Sequence, residues 1–168
     1  MYEMKNVARI VAMNGGLDKL ADRPIKIEMD GFDRLCIEHV GRGPNGRPLV
    51  SVAHYFLQNG DLMSDPEMTF EVIPDDDSKL GWKSGTWFPT SITQSPTGVY
   101  REAVWTEGGQ VLVRPRLVQE LKGFARMWDR NIGAQGFVDA AKQQFSTVSA
   151  RQTIDSGGRT SLPFLPTP

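Results

Sequence analysis

The chain has 168 residues, of which 39% are hydrophobic and 23% are charged, and its formal net charge is -1. These values are ordinary for one globular domain, and so small a net charge excludes a global attraction to nucleic acid or to an anionic membrane. Its single cysteine, Cys36, excludes an intramolecular disulfide. The polar N-terminal segment is unlike a secretion signal, and no apolar run is long enough to span a membrane. We therefore predict a cytoplasmic protein with no membrane partner.

The first segment of the chain predicts a helix. Apolar residues recur at helical spacing from about Glu3 to Met13, and Asn14-Gly15-Gly16 follows as a helix-stop signal. The run from Leu17 to Leu20 predicts one more helical turn.

The pattern then changes to the alternation that is typical of strands. Ile25 to Met29 and Leu35 to His39 alternate on either side of Asp30-Gly31, which predicts a β-hairpin. Leu49 to Leu57 is apolar on both faces and predicts a central strand. The segment from Glu67 to Val72 alternates again and predicts a fourth strand with one polar face.

Three further strands are predicted before the chain returns to helix. Trp87 to Thr93 and Val99 to Trp105 are strand candidates separated by a turn at residues 95–98. Val111 to Val113 predicts a short strand.

The C-terminal third predicts helices and a tail. An apolar stripe runs from Pro115 to Arg130, and Asn131 and Gly133 are expected to end this helix. A second short helix is predicted from Gly136 to Phe145, and residues 149–168 are predicted to be a disordered or partner-dependent tail. The prediction is an α+β domain over residues 1–148, with an antiparallel sheet of about six strands flanked by an N-terminal helix and C-terminal helices.

Signatures of common enzymes are missing from the sequence. Residues 41–46 match the glycine pattern of dinucleotide-binding loops by letters, but they lie between antiparallel strands and open no helix, so we interpret them as a flexible hairpin loop. The two histidines and the cysteine lack the spacing of zinc ligands. We predict no cofactor and no resident metal.

The densest polar segment is residues 54–71. It has the form His-Tyr-x-x-Gln-Asn-Gly-Asp-Leu-Met-x-Asp-Pro-Glu-Met-x-Phe between His54 and Phe70. This segment resembles a family of small uncharacterised domains that phages, plasmids and integrative elements carry. The resemblance covers roughly residues 25–105 and implies a mobile-element accessory protein, with no established activity to carry over.

Two interpretations of this segment remain open. His54, Asp61, Asp65 and Glu67 form an oxygen-rich set that could hold Mg²⁺ or Mn²⁺ in a metal-dependent hydrolase or nuclease. Alternatively, the two aspartates cap local turns, and His54 is a core histidine bonded to a loop carboxylate.

Charge is segregated along the chain. Seven acids and no bases lie between residues 61 and 77, and together with Trp82, in a Gly- and Ser-rich loop, they form the predicted binding surface. These residues are Asp61, Asp65, Glu67, Glu71, Asp75, Asp76, Asp77 and Trp82. The helix from Arg114 to Arg130 presents the opposite charge, and its outward residues Arg116, Lys122, Arg126 and Arg130 could meet phosphates.

The leading hypothesis is a non-enzymatic mobile-element protein that binds a host or element-encoded protein through the acidic residues. An inhibitor of a host defence system such as CRISPR would act in this way, by meeting a basic surface. The alternatives are the metal-dependent enzyme and a small DNA-associated factor that uses the basic helix.

Overall fold

A computed structural model describes residues 4–74 and 85–156 of the chain. The elements follow in chain order: helices α1 (Lys5–Met13) and α2 (Gly16–Asp22), strands β1 (Ile25–Met29), β2 (Phe32–Arg42), β3 (Pro48–Gln58), β4 (Asp61–Pro74), β5 (Gly85–Gln94), β6 (Val99–Glu102), β7 (Val104–Glu107) and β8 (Gln110–Val113), and helices α3 (Pro115–Ala134) and α4 (Phe137–Ser156). In the described ranges, no helix is both long and apolar enough to cross a bilayer.

The architecture is the predicted α+β class. Strands β1 to β6 form one antiparallel sheet in sequence order, so each strand pairs with its neighbours in the chain. Strands β7 and β8 pair as a separate hairpin. Short connections join β1 to β2, β2 to β3, β3 to β4 and β5 to β6, and each returns the chain antiparallel to the strand it has just left.

One face of the large sheet packs against the helices and forms the core. Because side chains alternate along a strand, the apolar residues of β1 to β5 share this face. They are Ile25, Ile27, Leu35, Ile37, Val50, Val52, Met68, Phe70, Val72 and Trp87, and each is at most 2% exposed. Each such side chain contributes roughly 1.5–3 kcal/mol through burial, so this layer dominates the stability of the fold.

The apolar stripe on α3 supplies the opposite half of this core. Leu117, Val118, Leu121, Ala125 and Trp128 are buried as the periodicity predicts. Helix α1 packs against both α3 and α4, which joins the two ends of the chain.

Two strand predictions were wrong in their boundaries. The predicted strand from Val99 to Trp105 is two strands, because the chain leaves the sheet at the buried Ala103. The amide of Ala103 donates to the carbonyl of Thr90, and its carbonyl accepts from the amide of Arg114, so backbone bonding redirects the chain. Strand β4 also begins at Asp61 rather than at Glu67, because its polar first residues pair with the end of β3.

Both C-terminal helices are longer than predicted. Helix α3 passes through Asn131 and Gly133, and the latter glycine lies against α1, where a Cβ would come within 2.6 Å of the Asn6 side-chain nitrogen. Helix α4 continues to Ser156, into the segment predicted as a tail. Residues 157–168 of that segment are outside the described part of the chain.

Candidate binding face

The sheet face opposite the helices carries the polar residues of the strands and is called the polar face below. Pairing across the sheet sets Glu38, Ser51, Thr69, Ser91 and Glu102 in one row. The next row contains Lys26, Cys36, Ala53, Glu67, Thr93 and Tyr100. Small residues thus occupy the middle of the face, and glutamates lie among them and at the ends of one row.

Hydrogen bonds hold the middle of the polar face together. The Ser51 hydroxyl donates to Oε1 of Glu67 at 2.9 Å. The Thr69 hydroxyl lies 2.6 Å from the hydroxyls of both Thr90 and Ser91. These polar groups satisfy one another, and Ser51, Ala53 and Ser91 are at most 9% exposed, so the middle of the polar face is buried and only its border is open to solvent.

The polar face carries both charges with acids in excess, because Glu38, Glu67 and Glu102 lie there with Lys26 and with Arg34, the cross-strand partner of Tyr55. Burial raises the pKa of Tyr55 to about 12, and the carboxylates of Glu67 and Glu38 contribute in the same direction. Burial also raises the pKa of Cys36, and the negative charge of Glu38 raises it further. The thiol therefore stays protonated at neutral pH, which is unfavourable for a nucleophile.

An exposed pair of leucines extends from one end of the polar face. Leu57 on β3 pairs with Leu62 on β4, and they are 74% and 62% exposed. The turn between them is Asn59-Gly60, where both residues have the positive φ that a tight hairpin needs. Alternation along β3 places Leu57 on the same face as Ser51, Ala53 and Tyr55.

The structure does not bring the four predicted metal ligands together. Over residues 4–74 and 85–156, no group of three or more His, Cys, Asp or Glu is arranged to hold a metal ion. Asp61 pairs with Gln58 beside the hairpin turn, and the Asp65 carboxylate accepts a bond of 3.3 Å from the Gln94 side chain. Glu67 lies on the polar face, in the bond to Ser51 already described.

His54 belongs to the core rather than to a carboxylate cluster. Its ring lies 5.6 Å from that of Trp128 and 5.3 Å from that of Phe137, centroid to centroid. Nδ1 is 3.0 Å from the backbone carbonyl of Asp33, so the expected bond to a loop carboxylate was wrong. A carbonyl accepts only, so Nδ1 carries the proton and donates it, while burial lowers the pKa of the imidazole.

Glu71, one of the acidic residues of the predicted binding surface, stabilises a loop within the protein. It is fully buried, and its carboxylate accepts from the backbone N–H of Asn45 at 2.7 Å and from the Asn45 side chain at 2.6 Å. It thereby holds the glycine-rich loop between β2 and β3, in which the Arg42 guanidinium also donates to the Gly46 carbonyl. Asp75, Asp76, Asp77 and Trp82 lie outside the described residues.

Two of the basic residues of α3 make contacts within the protein. Arg116 Nε lies 3.4 Å from a carboxylate oxygen of Glu120, and the Lys122 ammonium lies 4.9 Å from the ring centroid of Phe88. Arg126 and Arg130 are exposed further along the helix. The first two are thus partly neutralised or packed against the protein.

Sequence reasoning missed the leucine pair and the glutamates at the ends of the row, Glu38 and Glu102. The leucines could have been found, because Leu57 and Leu62 each lie one residue from the strand end that borders Asn59-Gly60. Two residues so placed face each other across a two-residue turn. The glutamates could not have been found, because their row depends on the register of five strands.

The fold and face define a small α+β domain with a polar sheet face that carries several glutamates. A family model, Domain of unknown function (DUF6908), matches residues 5–138. The chain belongs to this family, which confirms the expectation of an uncharacterised domain. No curated protein and no solved structure matches the chain. That related domains are carried by mobile elements stays a prediction.

Proposed function

We propose that this domain is a non-enzymatic accessory protein of a mobile genetic element that binds a partner protein with a basic surface. The Leu57–Leu62 pair and the accessible glutamates of the polar face form the contact. Blocking a nucleic-acid-binding surface of a host defence complex, as in CRISPR inhibition, is the specific role that such chemistry would serve. The observation that carries the proposal is the leucine pair, exposed at the border of an acidic face.

Exposed leucines at a hairpin tip favour a protein partner. Leaving two neighbouring leucines in water is unfavourable, and their burial on binding would contribute roughly 1.5–3 kcal/mol each. An apolar centre with a polar rim is the usual organisation of a protein interface.

The surrounding charge determines which partner fits. The carboxylates of Glu67 and Glu38 add to the effect of burial in raising the pKa of Tyr55. Tyr55 lies two residues before Leu57 on β3, so both side chains are on the same face of the sheet. Opposite charge on a partner would steer association toward this face and raise the on-rate.

The alternatives have less support. A metal-dependent hydrolase needs ligands in one place, and His54 lies against Trp128 and Phe137, whereas Glu67 lies on the polar face. A DNA-binding helix needs a strongly basic surface, and on α3 the Glu120 carboxylate lies among the basic residues and pairs with Arg116.

The test is a binding comparison between surface variants. A tagged chain is used to capture partners from host lysate, alongside Leu57→Ser/Leu62→Ser and the matched control Met127→Ser. Met127 is 46% exposed on α3, so the control also removes an exposed apolar side chain, but from the helical layer. We expect one protein to be retained by the native chain and by Met127→Ser and to be lost with the leucine variant.

The charge element of the proposal is tested with that captured protein after purification. Glu38→Gln/Glu67→Gln should slow its association and flatten the salt dependence of the rate. If the Leu57→Ser/Leu62→Ser variant captured the same proteins as the native chain, the leucine pair would not be part of the contact. Unchanged kinetics for the glutamine variant would contradict the basic partner.

A further inference from the structure

The chain contains Asn-Gly pairs at residues 14–15, 45–46 and 59–60. In this dipeptide the glycine nitrogen can attack the asparagine side chain, because glycine has no Cβ to hinder its approach. Inside a folded chain, the attack needs a glycine N–H that is free of hydrogen bonds and an asparagine that can rotate. The structure gives the three pairs different surroundings in both respects.

The first pair is held by the end of a helix. Asn14 follows α1, and the Gly15 N–H donates to the carbonyl of Ala12 at 3.1 Å. The next two residues, Gly16 and Leu17, are buried at the start of α2. The glycine nitrogen is therefore released only when the end of α1 unwinds.

The second pair is held by a carboxylate. The backbone N–H and the side-chain amide of Asn45 donate to the two oxygens of Glu71 at 2.7 and 2.6 Å. Hydrogen bonds to a charged group are the stronger kind. The Gly46 N–H donates to the carbonyl of Gly43 at 2.9 Å. The attacking nitrogen and the side chain that it would attack are thus both engaged.

The third pair forms the tip of the β3–β4 hairpin. Every residue from Leu57 to Leu62 is exposed, and the pairing of Gln58 with Asp61 closes the turn. Among residues 4–74 and 85–156, none is hydrogen-bonded to the Asn59 side chain or to the Gly60 N–H. Exposed tips with few buried contacts open at little cost in free energy, so Asn59 can rotate without unfolding the sheet.

We propose that Asn59 is a site of spontaneous deamidation and that the fold protects Asn14 and Asn45. The Gly60 nitrogen attacks Cγ of Asn59 and forms a new C–N bond. The side-chain nitrogen leaves as ammonia and takes the proton of the Gly60 N–H with it. Water then opens the five-membered succinimide. Cleavage of the new bond gives aspartate, and cleavage at the backbone carbonyl gives isoaspartate.

Both products change the hairpin that carries Leu57 and Leu62, because each adds a negative charge at the turn. Asn59 has a φ of 53°, which aspartate also tolerates, so the aspartate form keeps the turn. Isoaspartate adds a methylene group to the backbone, and the lengthened turn no longer fits the pairing of Gln58 with Asp61. The reaction goes beyond protein binding and needs no partner.

The experiment incubates the full chain at neutral pH, both folded and in urea, and maps its peptides by mass spectrometry at intervals. In the folded chain, Asn59 should convert at least about tenfold faster than Asn14 or Asn45, because those pairs must first break hydrogen bonds. In urea, the three should convert at similar rates, because each is followed by glycine and no fold protects it.

Two variants test the chemistry and the protection separately. Asn59→Gln should abolish conversion at the hairpin, because the longer side chain cannot close the five-membered ring. Glu71→Ala should speed the conversion of Asn45 by about tenfold and leave that of Asn59 unchanged. Asn14 is the internal control, because it stays slow as long as the variant is folded.

The folded chain decides the proposal. If its Asn59 converted no faster than Asn14 and Asn45, or kept its amide while the chain in urea lost it, the proposal would be overturned. Slow conversion of Asn45 in folded Glu71→Ala would refute the protection by that carboxylate. If Asn14 reacted as well, Glu71→Ala would be unfolded, and the comparison between the folded chain and urea would carry the test.

Discussion

The carboxylate of Asp129, on α3, caps the N-terminus of α1 by accepting the backbone N–H of Asn6. The amide is 3.1 Å from Oδ1, the Val7 amide donates to the same oxygen at 3.1 Å, and the Asn6 side chain donates to the backbone carbonyl of Asp129 at 2.9 Å. Helix α1 has no capping side chain of its own. A residue more than 120 positions away therefore satisfies the amide groups that this helix end leaves unpaired.

Replacing Asp129 with alanine should destabilise the fold substantially. The change leaves the amides of Asn6 and Val7 without acceptors in a buried region, at a cost of about 1–3 kcal/mol. Urea unfolding measures the loss. Asp22→Ala is the matched control, because that exposed aspartate at the end of α2 makes only a 3.9 Å surface ion pair with Lys19, and we expect a change within about 0.5 kcal/mol. Equal losses from the two variants would refute the capping role.

Glycine at position 43 is required by Glu71. A Cβ there would collide with the side chain of Glu71, which is fully buried and bonded to Asn45. Gly43→Ala should lower the free energy of unfolding by about 1–3 kcal/mol, the usual cost of overpacking. Gly123→Ala is the control, because no atom lies within 4 Å of its added methyl group, and a helical glycine-to-alanine change should stabilise by up to about 1 kcal/mol.

A double-mutant cycle isolates this contact. Gly43→Ala should cost clearly less in a Glu71→Ala background than in the native chain, because the truncated side chain leaves room for the methyl group. Coupling between contacting residues is typically about 0.5–3 kcal/mol. Strict additivity in urea unfolding would show that some other strain makes the glycine necessary.

His54 should make the fold sensitive to mild acid. Burial lowers the pKa of this imidazole below its ordinary value of 6.5. Between that value and the folded-state pKa, the unfolded chain binds more protons than the native chain, so stability is full above pH 6.5 and falls as the pH drops through the folded-state pKa. Urea unfolding at a series of pH values would show this loss, and His54→Asn should reduce it while keeping a donor toward the Asp33 carbonyl.

The comparison with His39→Asn attributes the acid effect to one histidine. We expect His39→Asn, on β2, to retain the loss of stability below pH 6.5. Burial raises the pKa of Asp129, so this group acts in the opposite sense, with stability lost as pH rises through its folded-state pKa. Asp129 is present in both histidine variants, and its contribution cancels in their difference. A larger effect of His39→Asn would contradict the assignment.

The sequence by itself determined the order and type of nearly all elements. Alternation predicted β1, β2 and the second half of β4, an apolar run predicted β3, Asp30-Gly31 predicted the first hairpin, and the stripe from Leu117 to Trp128 predicted the buried side of α3. These features are local, because each follows from spacing within one element or one turn.

Tertiary structure decided what local signals could not. The strand predicted from Val99 to Trp105 is divided at Ala103 by bonds to Thr90 and Arg114, and Gly133 continues a helix because it packs beside Asn6. The same holds for function, because the sequence does not distinguish a fully buried glutamate such as Glu71 from a half-buried one such as Glu38 on the same kind of strand face. Sequence spacing specifies the face of an element, but the partner that covers that face comes from distant residues, and only folding brings them together.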